Sequence, residues 1–288
     1  MTRHRIKTLA VVGTGLIGTS IALAARSAGV SVVLEDRDDR ALAAAVARGA
    51  GVPAAGSAPP ADLAVLAVPP DAVAEVLWDA RKRRLARFYT DVASTKAEVV
   101  RGSGQLPAFV PGHPMAGAEK SGPEAARADM FHGAPWVLCP AHSATAAVDA
   151  VHELVALCGA SPVDMDAGEH DRAVALVSHV PHLVSSALAA VLRDAGPDVL
   201  GLAGRGVLDT TRIAAGDQVL WTEILRGNAA NVARELVDVA SSLSWVAIAL
   251  AEYADLGDRG ALERVTELLA HGRRGRAELL DALRARGR

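Results

Sequence analysis

Short apolar runs recur through the first half of the chain, each closed by glycine, proline or a charged pair, with amphipathic stretches at helical spacing between them. Residues 8–12, 30–34, 63–68, 88–92, 108–110, 135–140 and 162–165 read as strands. Several of the runs are continuously apolar rather than alternating, which is the pattern of strands covered on both faces in a parallel sheet. Residues 19–28, 71–86 and 144–158 read as helices between them. The order is that of a doubly wound α/β sheet. After Asp166-Ala167-Gly168 the pattern turns helical, with long Ala/Leu/Val-rich segments at 171–194, 219–254 and 260–286. We therefore expect an α/β domain over residues 1–166 and an all-α domain over 167–288. Apolar faces this extensive call for a partner, and a second copy of the chain is the expected one, giving a homodimer.

The turn after the first strand reads Gly13-Thr14-Gly15-Leu16-Ile17-Gly18 and opens a helix. In such a strand–turn–helix unit the first glycine permits the tight turn, the second lets the backbone approach a pyrophosphate, and the third lets helix pack on strand. The helix N-terminus then faces the phosphates. This predicts a Rossmann domain holding a dinucleotide. The second strand ends in Glu35-Asp36-Arg37, where a carboxylate would meet a ribose hydroxyl. Only one of the two acids can point inward, and Asp36 is favoured. Its charge repels the extra phosphate of NADP, which favours NAD; Arg37 leaves NADP open, since it either accommodates that phosphate, stacks on adenine or is an ordinary surface charge. Val68 and Pro69, closing the third strand, border the same crevice.

Composition narrows the class further. The chain has 288 residues, 51% of them hydrophobic and 22% charged, with a formal net charge of −3, which argues against a nucleic-acid partner. No run of about 18 apolar residues suggests a membrane span, and the basic N-terminus is not followed by a signal-type segment. A cytoplasmic enzyme is expected. Cys139 and Cys158 lack metal-ligand spacing and read as reduced core residues; no metal site is expected.

Candidate chemistry lies at the carboxyl ends of the later strands. Gly112-His113-Pro114 follows the strand at 108–110, and proline restricts the backbone of the histidine before it. Ser94, in Asp91-Val92-Ala93-Ser94-Thr95-Lys96, either caps the next helix or faces a cofactor or substrate hydroxyl. Together His113 and Ser94 can converge on a substrate hydroxyl, the imidazole accepting its hydrogen bond while hydride leaves the carbon. Ser178 and His182 are four apart on one predicted helix and so share a face. His170-Asp171 reads as a capping or inter-domain polar pair.

Asp91 to Lys96, then Gly112-His113-Pro114-Met115-Ala116-Gly117-Ala118-Glu119-Lys120-Ser121-Gly122, then Ser178-His179-Val180-Pro181-His182, and Asp209-Thr210-Thr211-Arg212-Ile213-Ala214 with Trp221 together resemble the prephenate/arogenate dehydrogenases of tyrosine biosynthesis. The resemblance implies oxidative decarboxylation of a cyclohexadienyl dicarboxylate, driven by aromatisation. It makes His113 the acceptor of the substrate hydroxyl's hydrogen bond and Ser94 its partner beside the cofactor. It gives Arg212 the ring carboxylate, Ser178 and His182 the substrate side chain, Glu119 the pocket mouth, and Trp221 a place in the partner subunit's site. One departure stands before Asp209, where the family often carries an aromatic residue and an arginine and this chain has Val207-Leu208. The chain also leaves no room for an appended regulatory domain. Prephenate, arogenate and an amino-substituted prephenate all fit the motifs. A hydroxyacid or imine reductase would call for a lysine in the helical domain, yet all four lysines precede residue 167. A non-catalytic nucleotide-binding protein would have no use for His113, Ser94 and Arg212.

Overall fold

A computed structural model describes residues 6–56, 59–117 and 122–286. Contacts divide the chain into two compact units, 1–229 and 230–288.

The first unit is built on a six-stranded parallel sheet in the order β3-β2-β1-β4-β5-β6. Its strands are β1 (Thr8–Val12), β2 (Ser31–Glu35), β3 (Val52–Pro53), β4 (Ala61–Leu66), β5 (Ala86–Asp91) and β6 (Phe109–Val110). Alternate residues of β1 and β4 go to opposite faces: Leu9, Val11, Leu63 and Val65 join one core, Ala10, Ala64 and Leu66 the other. Burial on both faces is why these strands are apolar throughout. Each buried Leu or Val contributes about 1.5–3 kcal/mol.

Helices α1 (Leu16–Ser27), α2 (Asp39–Ala47), α3 (Val73–Lys82), α4 (Ala97–Gly102) and α5 (Thr145–Leu157) connect or flank the strands. The expected single helix at 71–86 is a 3₁₀ turn, Pro70–Ala72, followed by α3, because the proline pair fixes the entry. A second sheet, absent from the sequence reading, joins β7 (Gly112–Pro114), β8 (Pro135–Leu138) and β9 (Ser161–Asp164). β7 runs antiparallel to β8 with His113 opposite Val137, so the histidine sits on a strand.

The remaining helices of the first unit are α6 (Ala167–Val174), α7 (Val180–Leu192), α8 (Pro197–Leu200), α9 (Arg205–Thr211) and α10 (Gln218–Gly227). A π turn, Ala175–His179, lies between α6 and α7. The helix expected over 219–254 breaks at Asn228, separating α10 from α11 (Ala229–Leu256). In the second unit α11 is followed by α12 (Arg259–Arg286). Its apolar side chains are widely exposed, among them Val237, Leu243, Trp245, Ile248 and Leu256. Two helical stretches, 167–192 and 229–256, are long and apolar enough to cross a membrane by length and composition. The first, however, buries His170, Asp171, His179 and His182, and the second carries Arg234, Glu235 and Asp238.

Candidate active site

The glycine turn between β1 and α1 forms one half of the site. Gly13 has φ +96°, and a Cβ there would lie 2.2 Å from the Ala67 carbonyl oxygen, so only glycine fits. A Cβ on Gly15 would meet nothing within 4 Å, which leaves open space over the start of α1 where Leu16, Ile17 and Gly18 follow. Gly13, Gly15, Asp36, Arg37, Val68 and Pro69 line one cleft of about 390 Å³. At its rim the two neighbouring acids have separate partners. Glu35 receives a two-pronged bond from Arg83 at 2.9 and 3.1 Å, while Asp36 accepts from the Thr14 amide and hydroxyl at 2.5 and 2.8 Å. Open space over helix amides, with a carboxylate about 20 residues on, fits a dinucleotide.

The other half centres on His113, which is partly exposed on β7. Its Nδ1 lies 2.8 Å from His170 Nε2, and His170 Nδ1 lies 2.7 Å from Asp171 Oδ1. Asp171 in turn accepts from the backbone N–H groups of Lys96 at 2.8 Å and Ala97 at 2.9 Å. It therefore caps the short helix α4, the role the sequence offered Ser94, whose side chain is half-buried. Burial alone would push the Asp171 carboxyl up; bonds from His170, Ala97 and Lys96 outweigh it and hold it below the ordinary value.

On the opposite side of the same loop Asp91 holds the backbone ahead of His113. Its Oδ1 accepts from the Gly112 amide at 3.0 Å, its Oδ2 from the Ala93 amide at 2.9 Å, and Oδ2 also pairs with the fully buried ammonium of Lys96. Residues 91–97 thus grip His113 twice, through its preceding amide and through Asp171 and His170. Burial first, then the neighbouring His170, Lys96 and His179, pushes the His113 imidazole well below its usual pKa. It stays neutral near pH 7.

Around the second half lies an aromatic wall. Trp221 stacks on His182 with centroids 3.6 Å apart and planes at 11°, and meets His179 edge-on at 6.1 Å. Within this chain Trp221 therefore lies against its own histidines. His179, which ends the π turn, and His182 on α7 are three apart and so lie on one helical face, where they share Trp221; Ser178 is half-buried. Arg212 opens a 3₁₀ turn, Arg212–Ala215, packed on α7, and its side chain is exposed. Glu119 lies outside the described residues.

Sequence reasoning missed Asn228 altogether. Its amide donates to the Asp171 carbonyl at 2.6 Å and lies 3.2 Å from His179 Nδ1. An asparagine breaking an otherwise apolar helical run was the available signal. Burial takes His179 down to about 4 and lowers His182 as well. Unfolded, these histidines titrate near 6.5; folded, they resist the proton. Their contribution to stability is complete above about pH 6.5 and is lost as pH falls toward the folded values. The melting temperature is expected to drop by several degrees between pH 7 and pH 5; a flat profile there would contradict neutral, buried rings. Burial likewise pushes the thiols of Cys139 and Cys158 up to about 12, so both behave as inert core residues.

Residues 21–163 match the family described as "Prephenate dehydrogenase, nucleotide-binding domain", and residues 166–267 match "Prephenate dehydrogenase, dimerization domain". The chain belongs to the prephenate dehydrogenase family. It is 42% identical to the probable prephenate dehydrogenase NovF of Streptomyces niveus, over 94% of this chain and 76% of that protein. The crystal structure of a prephenate dehydrogenase from A. aeolicus with hydroxyphenyl propionate and NAD+ superposes with TM-score 0.84 at 25% identity, covering 96% of this chain and all of that one. The arogenate dehydrogenase of Synechocystis gives TM-score 0.73 at 26% identity, over 93% and 99% of the two chains. Family membership makes the protein an oxidoreductase with a nicotinamide cofactor, of the kind used in tyrosine biosynthesis. It also accounts for the exposed apolar faces of α11 and α12, which fall in or beside the matched dimerisation domain.

Proposed function

We propose that the protein is an NAD-dependent prephenate dehydrogenase, acting as a cytoplasmic homodimer and releasing 4-hydroxyphenylpyruvate and carbon dioxide. The observation that carries the reading is the junction of a neutral, partly exposed His113 with the wall of His179, His182 and Trp221, linked through His170, Asp171 and Asn228. A neutral imidazole suits a ring hydroxyl, and an indole–imidazole wall suits a flat cyclohexadiene. The wall offers imidazole and, at Ser178, hydroxyl, which match a keto-acid side chain; the ammonium of arogenate would favour a carboxylate there. NovF and the A. aeolicus enzyme, both named for prephenate, point the same way.

In this reading the helical part from residue 167 binds substrate and the α/β part binds cofactor. Arg212 and Ser94 complete the set, the guanidinium taking the ring carboxylate and the hydroxyl supporting His113 at the cofactor side. The Gly13–Gly18 turn, Asp36, Arg37, Val68 and Pro69 hold the dinucleotide, with Asp36 disfavouring a 2′-phosphate. When bound, the nicotinamide accepts hydride from the hydroxyl-bearing ring carbon. His113 takes the hydroxyl proton as the carbon–oxygen double bond forms; the bond to the ring carboxylate then breaks, its electrons aromatise the ring, and the phenolic oxygen recovers the proton. Incubation with prephenate and NAD followed by mass spectrometry is expected to show 4-hydroxyphenylpyruvate and carbon dioxide in equal amounts. Cofactor reduction without carbon dioxide would overturn the proposal.

A further inference from the structure

We propose that His170 and Asp171 form a closed proton relay with His113: Asp171 orients His170, and His170 Nε2 receives the Nδ1 proton of His113 while His113 Nε2 holds the substrate's hydroxyl proton. This rests on the assignment of His113 as the hydroxyl's acceptor and adds two positioning residues to it.

The hydrogen bonds fix the tautomers in sequence. Asp171 accepts from two backbone amides and so is a carboxylate; it requires an N–H at His170 Nδ1, 2.7 Å away. In the proposed resting state His170 carries no second proton and presents a lone pair at Nε2, to which His113, 2.8 Å away, donates from its Nδ1. That leaves His113 Nε2 bare, the form able to accept a proton. Without the relay either tautomer of His113 is available, and one of them cannot act as a base.

Charge placement gives the relay its direction. An imidazolium at His113 faces Lys96 from the loop before α4, His170 from α6 and His179 from the π turn; Asp91 is nearby on β5 but is occupied by Lys96. Moving the Nδ1 proton one ring along puts the positive charge on His170, against the Asp171 carboxylate. The bonds balance: N–H breaks at His113 Nδ1 and forms at His170 Nε2, while O–H breaks on the substrate and N–H forms at His113 Nε2. The reverse shift restores the proton to the phenolic oxygen. No net proton is released in the overall conversion, so the relay needs no exit, and His170 and Asp171 are accordingly 0% and 2% exposed.

Two variants test this. His170→Phe removes both the tautomer lock and the proton site, and is expected to lower kcat by roughly 10²-fold, within the usual range for proton transfer, with KM and NAD affinity little changed. Its acid limb in kcat/KM should shift, because the 2.8 Å bond couples protonation of His113 to the neighbouring ring and phenylalanine breaks that coupling. His170→Gln, which can still accept from His113 Nδ1–H, should regain part of kcat. Nitrogen-15 NMR of labelled histidine should find His113 in the Nδ1–H form in the wild type and in both forms in His170→Phe, a reading independent of substrate. A wild-type His113 in the Nε2–H form, or His170→Phe with unchanged kcat and acid limb, would overturn the relay. Should His170→Phe be silent while His113→Asn is inactive, the relay fails and the assignment of His113 stands; if both variants turn over normally, that assignment fails as well.

Discussion

Replacing His113 with asparagine is expected to lower kcat by about 10²–10⁴-fold, the range over which a positioned general base acts, while NAD affinity stays within about twofold. Asparagine can still donate toward His170 Nε2, so the bond at 2.8 Å has a replacement and β7 keeps its pairing with β8. What is lost is the bare nitrogen that accepts the hydroxyl proton. Since the interaction strengthens only as the hydride departs, KM should change little and the loss should fall on kcat and kcat/KM together. Steady-state kinetics beside isothermal titration with NAD separates the two effects. Turnover within about threefold of wild type would remove His113 from the chemistry.

The second large effect concerns folding. Lys96 and Asp91 are both fully buried and paired, and Asp91 also accepts from the amides of Gly112 and Ala93. Removing one member of such a pair strands a charge in a low-dielectric interior, at a cost of about 3–5 kcal/mol. For a chain of this size, Lys96→Met should therefore lower the melting temperature by on the order of 10 °C. Asp91→Asn combined with Lys96→Met should regain part of that loss, although the Asn amide will meet one backbone N–H it cannot accept from. Differential scanning calorimetry of the two variants decides it: a single variant that melts within about 2 °C of wild type would show that the pair carries little of the stability.

Much of this architecture was legible in the residues because it depends on local chemistry. β1, β2, β4 and β5 are apolar on both faces, and Gly13 sits where no Cβ fits, so periodicity and a glycine turn announce them. The cleft beside the glycine turn gathers Gly13, Gly15, Asp36, Arg37, Val68 and Pro69 for the same reason, since strand ends in a parallel sheet are contiguous. What the sequence hid depends on long-range pairing. β7 is three residues long and acquires its strand geometry from β8, more than twenty residues later. The cap of α4 comes from Asp171, 75 residues beyond Lys96, so the hydroxyl at Ser94 looked like the better local candidate. His170-Asp171 read as a polar pair because nothing nearby in sequence shows that His113 lies against it. His179 and His182, three apart, share a helical face by spacing alone, but nothing near them in sequence shows that Trp221, far along the chain, lies against both.

The central claim is a prephenate dehydrogenase that uses NAD, and initial rates of cofactor reduction with wild-type protein test it most directly. With prephenate, arogenate, NAD and NADP supplied in all four pairings, kcat/KM should be highest for prephenate with NAD and at least about tenfold lower for arogenate, a margin of about 1.4 kcal/mol at 25 °C. Turnover confined to arogenate, or none with any pairing, would contradict it.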